Sequence, residues 1–150
     1  MEIRYKHVEQ VLSRILGVSP TDAKAFRARL RHLRNIGIPT DLPKTGSGSQ
    51  IAYTRDQVVE MLIALELAAL GMAPRHAVIL AREAKFLDVF QAPGDPFIVV
   101  CPGTEGLDAH FTHLEDAEII KVIQKHNRIS LVNLASSLRI LDDFLGSIPQ

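Results

Sequence analysis

Apolar residues recur at helical spacing through the first part of the chain. Val8, Val11, Leu12, Ile15 and Leu16 share one face of a predicted helix that stops at Gly17. A second helix is predicted from Pro20 to Asn35. Ser19 suits its N-cap, Pro20 its first position and Asp22 the positive end of its dipole, while Gly37 and Pro39 close it. Within it Ala23, Phe26, Leu30 and Leu33 form an apolar stripe, and Lys24, Arg27, Arg31 and Arg34 follow the same rhythm on another face. Two helices joined across Gly17-Val18 are the minimal helix-turn-helix.

Further along, Thr54 and Gln57 have capping-box spacing and open a helix running to about Leu70. It is apolar on most sides (Val58, Val59, Met61, Leu62, Ile63, Leu65, Leu67), which predicts a buried central helix. Gly71 stops it, and Pro74 starts another that runs to about Lys85. Between Ile38 and Tyr53, a Gly/Ser-rich tip at 44–49 separates two short arms, which fits either a hairpin wing or a loop. Its Lys-Thr-Gly order is not a phosphate-binding loop, which needs Gly-Lys followed by Ser or Thr. Residues 86–96, with Pro93, Gly94 and Pro96, predict a linker or turn. Beyond it the period changes. Phe97–Cys101 is a β-branched strand, Pro102–Asp108 a loop, Ala109–His113 a returning strand and Ile129–Val132 a third strand. Helices are expected over Glu115–His126 and Leu134–Leu145. The last has an apolar stripe (Leu134, Leu138, Leu141, Phe144) that suits either a two-fold axis or its own small sheet.

The expected fold is therefore mainly α with a small α+β part. A head over 1–85 and a module over 97–150 flank the 86–96 linker, and the smaller module is expected to share burial with the head or with a second copy.

Net charge is zero over 150 residues, which by itself argues against a polyanion partner, but the zero hides an asymmetry. Residues 1–85 carry 13 Lys/Arg against 8 Asp/Glu, and residues 86–150 carry 4 against 9. A basic first half on an acidic second half suits a binding head on a different module. Cys101 is the only cysteine, which fits a reducing compartment. Met1–Lys6 has no apolar core of a signal peptide. Val58–Met72, broken by Glu60 and Glu66, is too short to cross a bilayer, so the expected location is the cytoplasm, and the resemblance described next implies association with the nucleoid.

In this order the residues resemble the DNA-binding head of MerR-type transcriptional regulators. Arg31-His32-Leu33-Arg34-Asn35-Ile36-Gly37-Ile38 matches the end of that family's second helix. Tyr53 stands one wing length later, and Gly71-Met72 closes the following helix at the expected separation. The likeness covers residues 8–85. It departs from the family in three ways: about two extra helical turns before Arg31, Ile51-Ala52 where a basic residue is usual, and no long coiled-coil helix.

The resemblance implies a winged helix-turn-helix acting on double-stranded DNA as a homodimeric, sequence-specific transcriptional regulator at a roughly palindromic site. It implies major-groove contact by Thr21, Lys24 and Arg27 near the start of the second helix, with its cap Ser19 also among the DNA-binding residues. It implies phosphate contact by Arg31, Arg34, Lys44, Tyr53 and Arg55. For Tyr53, packing beneath the wing stands equally open. The alternative function is a DNA-architectural or excisionase-like factor of phage or plasmid type. The C-terminal module is expected to dimerise, to contact a protein partner or to sense a small ligand.

His110 and His113, with Cys101, Asp108 and Glu115, have the residue types of a metal site, but residues three apart on a strand face opposite sides, so no metal or other cofactor is expected. No nucleophile–base arrangement is legible around Ser136-Ser137 or the adjacent Asp142 and Asp143, so no catalytic activity is expected. The two aspartates are read as a solvated face.

Overall fold

The computed structural model describes residues 3–42, 51–83, 94–103, 106–125 and 128–148. Within them the chain is mainly helical, with two small antiparallel sheets. The first helix, α1 (Tyr5–Ile15), buries Val8, Val11 and Leu12 and ends where Gly17 takes a φ of 61°. A single 3-10 turn over Pro20–Asp22 follows. Ser19 caps it by accepting from the Asp22 amide at 3.3 Å, and the chain passes directly into α2 (Ala23–Asn35). Phe26, Leu30 and Leu33 are its buried stripe, as the spacing predicts.

The turn after α2 is held from two directions. Arg82, on α4 (Pro74–Glu83), donates to the carbonyls of Ile36 and Gly37 and so occupies the acceptors at the C-terminal end of α2. Gly37 has a φ of +89°, and a Cβ there would collide with the Arg82 guanidinium. On the other side, the Glu60 carboxylate of α3 (Arg55–Ala69) accepts from the Thr40 amide at 2.9 Å and from its hydroxyl at 3.0 Å. Gln57 donates to the Thr40 carbonyl at 3.0 Å. These bonds fix the orientation of α2 against the central helix. The capping box at the start of α3 is present, with Thr54 N to Gln57 Oε1 at 3.0 Å and Gln57 N to Thr54 Oγ1 at 3.2 Å.

The arm before α3 is a short strand paired with the N-terminal segment. β1 (Ile3–Arg4) pairs antiparallel with β2 (Ala52–Tyr53), placing Ile3 opposite Tyr53 and Arg4 opposite Ala52. Residues 38–42 form bends and turns, with Ile38 fully buried, and among the described residues β2 pairs with the N-terminal segment. The wing tip at 44–49 and most of the 86–96 linker lie outside the described residues.

In the second half, β3 (Asp95–Gly103) and β4 (Gly106–Leu114) form a hairpin with unbroken register from Asp95↔Leu114 to Gly103↔Gly106. Both strands are longer than the expected 97–101 and 109–113. Prolines 96 and 102 did not bound β3 because β5 (Ser130–Asn133) pairs only with Phe97–Val100. Each proline therefore sits where the central strand has a single neighbour and its missing N–H costs no ladder bond on the second side. α5 (Asp116–Lys125) packs Ile119 and Val122 with Phe97, Val99 and Leu114 on one face of this sheet.

The last helix, α6 (Leu134–Gly146), is capped by Asn133 accepting from the Ala135 amide at 2.9 Å. It packs against both β3 and α1. Its buried Leu134, Leu138, Leu141 and Leu145 join Ile98 and Val100 in the same apolar cluster as Val8, Leu12, Leu30 and Leu62. The second module thus shares its core with the head. Among the described residues no helix is long and apolar enough to cross a membrane.

Candidate nucleic-acid interface

Residues seven apart on an α-helix lie within about 20° of one another. The basic stripe of α2 therefore resolves into two parallel lines, Lys24/Arg31 and Arg27/Arg34, and the structure gives them different surroundings. Lys24 and Arg31 are exposed, with exposed Ala28 between them, and neither takes part in an ion pair among the described residues. Arg27 and Arg34 face α1. The Arg27 Nε donates to Glu9 Oε1 at 2.6 Å. Arg34 is half-buried, its guanidinium carbon 5.3 Å from the centroid of the Tyr5 ring, and its Nε is buried without a hydrogen-bond partner among the described residues. The sequence reading split the stripe along the helix, with Lys24 and Arg27 ahead of Arg31 and Arg34. The observed split runs across it.

At the start of this unit the hydroxyls of Ser19 and Thr21 lie 2.7 Å apart, and Ser19 also donates to Asp22 Oδ2 at 2.6 Å. Both side chains are engaged in the cap, which sets the direction of the first turn. Thr21 is exposed and Ser19 half-buried.

Tyr53 is 2% exposed, and its hydroxyl is buried without a hydrogen-bond partner among the described residues. The phosphate contact at this position is corrected. Pairing with Ile3 turns the ring into the core, 6.4 Å from Tyr5, where no backbone phosphate reaches its oxygen. Arg55 is likewise not a free cation. Its Nε and Nη2 form a fork on Asp142 at 2.6 and 2.9 Å, tying the start of α3 to α6. Asp142 is correspondingly an ion-pair partner rather than part of a merely solvated face. Lys44 lies outside the described residues.

Three basic or aromatic residues not singled out from the sequence join this surface. Arg4, Tyr5 and Lys6, with Ile51, line a cavity of about 340 Å³ beside the β1–β2 pair. Arg4 and Lys6 are exposed and form no ion pair among the described residues. Tyr5 connects them to α2. Burial raises its phenol above the ordinary tyrosine value and Glu9 adds to this, while Arg34, Arg31 and Arg27 pull it down. Of these arginines, Arg34 is the one that lies over the Tyr5 ring. The alternation Ile3-Arg4-Tyr5-Lys6 was the available signal, apolar or aromatic positions alternating with basic ones as on a half-buried strand. Burial also raises Tyr53, against the lowering effect of Arg34.

The other candidate cluster does not assemble. Cys101 and Asp108 are cross-strand partners, while His110 lies opposite Val99 and His113 opposite Pro96. The His113 ring meets the Gly94 carbonyl through Nδ1 at 3.2 Å. Among the described residues no three His, Cys, Asp or Glu side chains gather as a metal would require. In comparisons with known proteins, the chain matches no family model and no curated sequence.

Proposed function

We propose that the chain binds double-stranded DNA through α2, as a homodimeric, sequence-specific transcriptional regulator whose two heads meet a roughly palindromic site. The observation that carries this reading is the outward line of α2, where Lys24 and Arg31 stand exposed on either side of Ala28 and form no ion pair among the described residues. A small residue between two cations lets the helix backbone approach a groove while long side chains reach bases or phosphates. The resemblance of residues 8–85 to MerR-type heads supports the same assignment, with α1 and α2 as the helix-turn-helix.

In this reading Lys24 and Arg31 make the groove contacts, Arg4 and Lys6 meet the flanking backbone, and Arg34 supports α2 from within. The sheet module with α5 and α6 carries dimerisation or partner contact, and its shared core with the head transmits that state to α2. Equilibrium binding to a random duplex pool at several salt concentrations tests the proposal. Affinity falls steeply with salt if it is right, and no retention of duplex at low salt refutes it.

A further inference from the structure

We propose that Glu9 is a positioning residue for Arg27, holding its guanidinium so that the outer edge pairs with a guanine in the major groove. This rests on the DNA-binding reading above.

Among the described residues one ion pair is forked and one is not, and they differ in what they leave over. Asp142 takes both Nε and Nη2 of Arg55, so that guanidinium has one nitrogen uncommitted. Glu9 takes only Nε of Arg27, at 2.6 Å, and among the described residues Nη1 and Nη2 donate to nothing. The two terminal nitrogens present parallel N–H donors on the side away from the carboxylate, the geometry that matches O6 and N7 of guanine.

Position supports this use. Arg27 is three residues from Lys24 and four from Arg31, so it is the surface neighbour of both exposed cations. Its side chain is 56% exposed, against 24% for Glu9, so the carboxylate lies beneath and the guanidinium above. A long side chain between two like charges otherwise samples many rotamers, and one anchored at Nε loses that freedom before DNA arrives.

A carboxylate that only neutralised Arg27 would have the opposite consequence from one that aims it. Removing a negative charge near a polyanion raises affinity for every sequence alike. Removing an aiming contact lowers affinity for the preferred sequence alone.

The test uses the full chain, the duplex it selects from a random pool and an unselected duplex of equal length. The variants are Glu9→Ala, Arg27→Ala and both together, with far-UV circular dichroism confirming their fold. For Glu9→Ala the selected-to-unselected affinity ratio should fall about tenfold, within the range a bidentate base contact supplies, while binding to the unselected duplex holds or rises. The double variant should discriminate no worse than Arg27→Ala. Replacing one guanine per half-site with 7-deazaguanine should weaken the wild type and leave Arg27→Ala unaffected. An unchanged ratio in Glu9→Ala, or equal strengthening on both duplexes, overturns the inference while leaving the DNA-binding reading intact. Absence of duplex binding by the wild type overturns both.

Discussion

Removing single cations from the head should change the salt dependence of DNA binding according to whether each cation is already neutralised. Each phosphate neutralised contributes about −0.9 to the slope of log affinity against log salt, so a fourfold rise in salt costs about 3.5-fold per contact. Among the described residues Lys24 and Arg31 have no ion partner, and neither do Arg4 and Lys6. Lys24→Ala and Arg31→Ala should each make the slope shallower by about 0.9, and Arg4→Ala with Lys6→Ala by about twice that. Arg55 gives the contrast. Its charge is committed to Asp142 through two hydrogen bonds of 2.6 and 2.9 Å, so Arg55→Ala should leave the slope within error of wild type. Fluorescence anisotropy of a labelled duplex, titrated at five or more salt concentrations, reads these slopes. If Arg55→Ala flattens the slope as much as Lys24→Ala, or Lys24→Ala and Arg31→Ala do not change it, the division of the basic surface into free and committed cations is wrong.

Stability offers further tests. Leu141 is fully buried on α6 within the cluster that includes Val8 and Leu62, so Leu141→Ala should cost about 2–5 kcal/mol. The chain has no tryptophan and two tyrosines, Tyr5 and Tyr53, both in the head, so tyrosine fluorescence should report that loss from the far side of the shared core. An unmoved fluorescence midpoint would separate the halves. Burial raises the Glu60 carboxyl above its ordinary value despite the Thr40 bonds and the Arg82 charge. The folded state therefore binds the proton more tightly than the unfolded one. Stability from this group is present below the unfolded pKa and is lost as pH rises through the folded pKa. Glu60→Gln should accordingly gain in melting temperature relative to wild type as pH rises from about 4 to 8, and a gain that shrinks with pH would reverse the sign. Gly37→Ala should destabilise by at least about 1 kcal/mol, because its φ of +89° and the adjacent Arg82 guanidinium both oppose a Cβ; a neutral denaturation midpoint would contradict that.

Local chemistry made most helices legible before any coordinates. The Thr54–Gln57 box, the Ser19 cap and the glycine stops at 17, 37 and 71 each act within four residues of the element they bound. What escaped the sequence was settled at long range. Arg27 finds Glu9 18 residues away, Arg55 finds Asp142 87 residues away, and Arg82 reaches Gly37 across 45. Helical periodicity placed Lys24, Arg27, Arg31 and Arg34 on one stripe but carries no information about which of them meets an acid. The β1–β2 pair was equally hidden. The alternation Ile3-Arg4-Tyr5-Lys6 hints at an extended start but names no partner, and the register depends on Tyr53 entering the core beside Tyr5. Prolines 96 and 102 looked like strand ends because sequence does not disclose that β5 covers only the middle of β3.

The most direct test of the central claim is selection of bound duplexes from random DNA by the full chain at low salt, followed by sequencing. Enrichment of a motif with two symmetry-related half-sites, lost when Lys24 and Arg31 are both replaced by alanine, is the predicted result. Recovery of no enriched duplex, or of the same motif by that double variant, would contradict the assignment of α2 as the DNA-reading helix.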